Sequence, residues 1–418
     1  MNAFRKLGIL TLVLVLLGLP LLAGCGGDDE EKPTVTPEAT QTVEPTSQPT
    51  QPPEEKVTIT IGNLTDLTGP AAVPMTTVNS AMSDVVKWAN EENMIPGVKL
   101  DVLNFDGQYN PSKDLPGYLW LTENGADILF SGLPNTPVSL QPRVNADKAV
   151  LMCLSLDGPQ ADPPGYEFSI NMSVKDITST ALNWIAEHEW DWKTNGPAKV
   201  ALVSWDSTVY REQERAAVEY ISAHPEQFEW KGAQLIKSGF RWETQVEATK
   251  DCDYILPPGT PIVSFIKQYY DAGGKAKLIM WDTQVAWFSL IFDSGLWHYL
   301  DDSLVFISNP WWNDDAELVN LAREILRKYH GEEAAIKMEK EDPVYINAFH
   351  QFYGLVDILK QAVEAVGAQN FSQQALYDTL TSFKTDPVEG YAPWGFAPST
   401  DRFGYDYMLV YRADGAKG

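Results

Sequence analysis

Residues 57–105 read VTITIGNLTDLTGPAAVPMTTVNSAMSDVVKWANEENMIPGVKLDVLNF, and one β–α–β unit accounts for all of them. Residues 57–61 are all β-branched, which suits a pleated strand. Ala81, Val85, Trp88 and Ala89 recur at i, i+4, i+7 and i+8, the spacing of one helix face. Residues 98–105 then return to a strand pattern. Two strands separated by a packed helix argue for a parallel pair, because a helical crossover can return the chain to the edge of the sheet from which it started.

The same alternation continues in both directions along the chain. Strands are expected at 127–130 and 150–154, with helices between them. A long helix at about 176–190 opens a second series, with strands at 200–204, 233–236, 254–256, 278–281 and 304–307. Helices at about 316–329 and 344–366 and a last strand at 407–411 complete it. Alternation of this kind predicts an α/β chain with two doubly wound parallel-sheet lobes. Such sheets bind ligands beyond the carboxyl ends of their strands.

Ahead of this region the composition changes twice. Arg5 and Lys6 precede an apolar run, 7–23, that is shorter than the ~20 residues a membrane-spanning helix needs. This is the pattern of a cleaved secretory signal, expected to occupy residues 1–24. The run ends in Leu22-Ala23-Gly24-Cys25, which resembles the lipobox of bacterial lipoprotein precursors and implies lipidation of Cys25. Residues 25–56 are rich in Pro, Thr, Glu and Gln and carry no aromatic residue, so they cannot build a core and are expected to form an extended linker. The remaining stretch of about 360 residues is too long for one ordinary core and suits two lobes.

With 57 Asp and Glu against 31 Lys and Arg, the chain offers no basic face for nucleic acid. No HExxH, CxxC, GxSxG, GxGxxG or phosphate-loop motif occurs, and Gly273-Gly274-Lys275 lacks the flanking residues of the last. His188, His224, His298, His330 and His350 do not fall at metal-ligand spacings. No cofactor, no metal and no catalysis are expected. Cys153 and Cys252 fall in different expected lobes and are expected to remain separate thiols.

Several short motifs occur in a telling order. They are Leu67-Thr68-Gly69-Pro70, Asp106 with Asn110-Pro111, Gly165-Tyr166 with Asp176, Asp206 with Tyr210, and Tyr405-Asp406-Tyr407 with Ala413-Asp414-Gly415. Together they resemble the type I periplasmic binding proteins of the branched-chain amino acid class over nearly all of the region after residue 56. The resemblance implies two lobes joined by three hinge crossings that close on a ligand. It implies lobe 1 at 57–177 and 308–395 and lobe 2 at 178–307 and 396–418, with hinges near Asp176, Ser308 and Phe396.

Ligand contacts implied by the resemblance fall on particular positions. The first carboxylate-holding loop corresponds to Leu133-Pro134-Asn135-Thr136, leaving Asn135 and Thr136 as polar groups that also read as a helix cap. The second corresponds to Ser155 and Asp157; an ionised Asp157 would repel a carboxylate, whereas Ser155 would donate to it. Tyr210 matches a pocket tyrosine that also reads as core. Asp282, after the strand-end Trp281, matches the partner of a ligand ammonium, and Tyr345 lies near an aromatic contact. The expected protein is a monomeric extracytoplasmic lipoprotein, anchored to the membrane by lipid. It captures a small polar or amphipathic ligand, an amino acid or a related amine or amide, for ABC permease subunits. A sensor with the same fold and a cell-surface hydrolase are the alternatives.

Overall fold

The computed structural model describes residues 56–417, apart from Asp157, Pro387 and the side chain of Pro159. The expected signal, Cys25 and the linker through residue 55 lie outside the described residues. Strands β1 (Val57–Thr65), β2 (Val98–Asp106), β3 (Ile128–Ser131), β4 (Leu151–Cys153) and β5 (Glu167–Ser169) form one sheet in the order β2-β1-β3-β4-β5, all parallel. A second sheet takes β6 (Ala198–Trp205), β7 (Phe228–Ile236), β8 (Tyr254–Leu256), β9 (Lys277–Met280), β10 (Leu304–Ile307) and β11 (Leu409–Arg412). Its order is β11-β10-β9-β8-β6-β7, and only β11 runs antiparallel to its neighbour. The molecule is thus two α/β lobes, as the alternating pattern predicts.

Helices cover both faces of each sheet, so central strands are apolar throughout: Leu304, Val305, Phe306 and Ile307 of β10 are all buried. Helix Ala72–Glu91 buries Met75, Val78, Met82, Val85 and Ala89 against the first sheet and the long helix Val344–Val366. Helices Glu317–His330 and Gln373–Leu380 join that layer. The first lobe is therefore completed by chain that follows the second sheet in sequence. Three connections between the lobes result.

The first connection leaves β5 and enters helix Val174–Trp184, whose N-terminus is capped by Ser173 accepting from the Asp176 amide. Asp176 itself sits in the first helical turn. The second follows β10 through Ser308–Ala316. The third differs from the reading above. Phe396 still packs on Phe168 at 5.3 Å, and the Gly404 amide still donates to the Ser169 carbonyl, so residues 396–404 run with the first sheet. Apolar packing of Phe396 and backbone pairing beside β5 hold them there until the chain leaves for β11. Cys153 in β4 and Cys252 ahead of β8 are buried in separate sheets. Among the described residues, no helix is long and apolar enough to cross a membrane.

Candidate functional site

The carboxyl ends of β3 and β4 in one lobe and of β8 and β9 in the other face a shared cavity of about 160 Å3. A dry cavity of roughly 150 Å3 accommodates benzene, so this one suits a ring or a short branched chain. Met75, Val78, Leu133 and Met172 form the apolar wall from the first lobe, and Trp281, Val285 and Trp287 form that from the second. Asn135, Ser155, Asn171, Asn347 and Gln351 supply polar groups on the first side, and Thr260, Thr283 and Tyr210 on the second. Asp282 is the only charged residue among the described lining. Two glycines keep the walls close: a Cβ on Gly132 would meet Met75, and one on Gly259 would meet the Tyr210 hydroxyl and Thr283.

Asp282 is held from both ends. The Trp281 amide donates to Gln284 Oε1 at 3.0 Å, and Gln284 Nε2 donates to the Pro257 carbonyl at 2.8 Å, which pins the turn after β9 to the turn after β8. Trp281 Nε1 donates to Thr283 Oγ1 at 2.8 Å, so its indole stands as a fixed wall. Across the cavity, Asn347 Nδ2 donates to Asp282 Oδ1 at 3.0 Å. Asn347 in turn accepts from Asn309 of the second connection. Gln351, one turn further on, donates to Asn171 of the first connection at 3.0 Å. Helix Val344–Val366 therefore touches two connections and the opposite lobe through two amides four residues apart. Part of the Asp282 surface opens to the cavity, yet its carboxyl lies deep among protein atoms. Loss of hydration pushes its pKa up to about 7, with the Asn347 bond pulling the other way. A carboxylate so placed, with no cation in the described lining, is poised to accept one from a ligand. Tyr109 closes another side opposite Thr260 of the second lobe, and burial pushes its phenol above its usual range.

A family model described as "Periplasmic binding protein" matches residues 58–418. The chain belongs to that family. The expectation drawn from the ordered motifs is met at the level of family and fold. No curated protein matches this periplasmic binding protein. Similar solved structures include a branched chain amino acid ABC transporter protein from Thermus thermophilus with bound valine, at 19% identity, with 87% of this chain and 94% of that one covered and a TM-score of 0.69. A fatty acid ABC transporter substrate-binding protein from Thermomonospora curvata is 16% identical over 86% of this chain and 90% of that one, with a TM-score of 0.72. A solute binding protein of an ABC transporter from R. palustris, in complex with 4-hydroxybenzoate, is 17% identical over 85% and 92%, at 0.67. At these identities the likeness is one of fold.

Of the residues singled out from the sequence, Asn135, Ser155, Tyr210, Trp281 and Asp282 come together around the cavity of this periplasmic binding protein. Tyr210 is largely core, 8% exposed, with only its edge in the wall. Two expectations are corrected. The Thr136 hydroxyl turns inward to Asp114 at 3.4 Å, because its position in the first turn of helix Asn135–Asp147 faces the lobe interior. Tyr345 is fully buried and donates to Asp84 Oδ2 at 2.8 Å, away from the cavity. The cavity-facing stripe of its helix is Val344, Asn347, Ala348 and Gln351. At 3.6 residues per turn, Tyr345 stands about 100° round from Val344. Asp157 lies outside the described residues. Asn347, Gln351, Asn171 and Tyr109 were not anticipated. Asn347 and Gln351 did carry a signal, as amides at i and i+4 in a largely apolar helix segment.

Proposed function

We propose that the chain is an extracytoplasmic solute-binding lipoprotein that captures a small amphipathic molecule bearing an amine or amide and hands it to an ABC importer. The observation that carries this reading is the cavity between the lobes, apolar-walled and with Asp282 as the only charged group of its described lining. Apolar walls with few polar anchors suit a small ligand. A carboxylate beside aromatic faces favours a cation or a multi-donor group over an anion. The valine complex of the Thermus thermophilus relative is consistent with an amino acid, and the 4-hydroxybenzoate complex with an aromatic body. The connections at 170–173, 308–316 and 405–408 serve as hinges on this reading, and closure buries the ligand between contacts from both lobes. A monomer is sufficient for this work.

The test is native mass spectrometry of protein purified from its host, followed by calorimetry on what is released. The expected ligand carries an amine or amide on an apolar body, binds at one per chain, and is recovered chemically unchanged. A dicarboxylate or phosphate ester in the cavity, or steady conversion of the ligand, would overturn the proposal. Anchoring is tested separately. The Leu22-Ala23-Gly24-Cys25 stretch predicts that the wild type partitions into detergent with a lipid-modified Cys25 as its first residue, and that Cys25→Ala does not. A membrane-bound mature protein with an unmodified Cys25 would refute the anchor.

A further inference from the structure

Asp282 is reached from the second connection by a chain of two amides. Asn309 donates through Nδ2 to Asn347 Oδ1, and Asn347 donates through Nδ2 to Asp282 Oδ1 at 3.0 Å. Asn309 is 1% exposed and stands behind Asn347, outside the described lining of the cavity. Pro310 follows it, and a residue before proline is biased away from the helical region, so sequence alone restricts the backbone that aims this side chain.

The direction of the two bonds matters. An amide side chain has a donating end and an accepting end, and turning it over exchanges them. Because Asn309 donates to the oxygen of Asn347, the nitrogen of Asn347 is the end left to face Asp282. An ionised carboxyl can only accept, whereas a protonated one also donates. The locked nitrogen therefore favours the ionised form, and a released Asn347 is free to turn its oxygen to the acid instead. Burial works against ionisation, and the Asn347 bond opposes it. The other titratable groups about Asp282 are the phenols of Tyr109 and Tyr210 in the lining and of Tyr405 from the third connection, all raised by burial. His350, on the same helix as Asn347, is held neutral by burial down to about pH 3. None of these changes charge where Asp282 does.

We propose that Asn309 is a positioning residue of the ligand site, acting through Asn347 by holding its donor toward Asp282. The second connection then sets the state of the ligand's charge partner, since an arrangement that withdraws Asn309 releases Asn347 to accept from the acid. The consequence for the ligand rests on reading Asp282 as the partner of an amine; the relay itself does not.

The test is the titration of Asp282 in the full mature chain without ligand, followed by carbon NMR on isotope-labelled aspartate, its signal being the one lost in Asp282→Asn. Asn309→Ala should raise the midpoint by about 0.5–1 in pH, the loss of one hydrogen bond's preference for the charged form. Asn309→Leu, close to asparagine in shape and without its N–H, should do the same, and it keeps the test decisive if the alanine variant folds poorly. Asn347→Ala should raise the midpoint as well, and adding Asn309→Ala to it should move it no further. A midpoint left in place by the Asn309 variants would overturn the relay, because a residue that only packs the second connection lowers stability without touching Asp282. A shift from Asn309→Ala that survives in the Asn347→Ala background would overturn it too. The readout needs no ligand. An unshifted midpoint therefore removes the relay and leaves the amine reading intact, whereas recovery of an anionic ligand counts against that reading and leaves the relay standing.

Discussion

Asp282→Asn should weaken an ammonium-bearing ligand on the order of 150-fold, taking about 3 kcal/mol for one partner of a desolvated charge pair. The carboxylate is the only charge in the described lining of the cavity, and its hydrogen bond to Asn347 is neutral, so no neighbour takes over its role. The pH dependence is a sharper test. Burial raises the carboxyl from 3.8 to about 7 in the empty protein. A cationic ligand binds the ionised form, so below about pH 7 binding must expel a proton and affinity falls about tenfold per unit. Above that it is level until the ligand amine itself titrates. Asp282→Asn should show no such slope. Stability runs in the opposite sense. With the folded pKa above the unfolded one, the group favours folding at low pH, and that contribution is lost as pH rises from about 4 to about 7. The unliganded Asn variant should therefore be the more stable protein at pH 8. Calorimetry from pH 5 to 8 on both proteins decides the matter. Affinity that climbs as pH falls would mean that a protonated Asp282 donates to a ligand acceptor, and the ammonium assignment would fail.

Trp394→Ala should lower the stability of the two-lobed region by about 3–5 kcal/mol, the cost of emptying a large buried aromatic site. Trp394 is 2% exposed and packs against Phe383, Phe396 and Tyr405, with centroids at 5.3, 5.9 and 4.9 Å. Its Nε1 donates to the Tyr391 hydroxyl, and its amide and carbonyl engage Thr385. A Cβ on Gly354 would meet the indole at 2.3 Å, so only glycine lets the long helix approach this closely. The site is unable to collapse onto a smaller side chain, because Tyr391 and Tyr405 are already tied to each other. Trp120→Ala, at 39% exposure on the first lobe, should cost less than about 1 kcal/mol. Urea denaturation followed by circular dichroism compares them, and similar midpoints for the two variants would show that the cluster around Trp394 is not a stabilising core. The same variant bears on function, since that cluster positions the helix that carries Asn347 and Gln351.

The β–α–β alternation was legible from residues 57–62 onward because strand and helix periods are local properties of the chain. The run at 344–366 is a helix of those bounds, and 254–256 and 304–307 are strands of those bounds. The short β5 went unread, since the buried Glu167 in its three residues breaks the apolar pattern. Strand-end residues were legible as well: Trp281 and Asp282 reach the cavity because any residue just past a parallel strand must emerge at that end of the sheet. Side chains on helices were less so. Tyr345 and Thr136 lie within a residue or two of cavity positions and yet face the lobe interior. A rotation of 100° per residue decides which face a side chain takes, and only packing against Asp84 or Asp114 sets that rotation. The third connection was misjudged for a related reason. Phe396 and Gly404 are held by Phe168 and Ser169, more than two hundred residues away in the chain, and no local pattern encodes such a contact. The sequence by itself thus determined the two-sheet architecture and the strand ends that face a ligand. Tertiary structure alone decided which helix face completes the cavity, where the last connection leaves the first sheet, and that Asp282 is the one charged residue of the cavity's described lining.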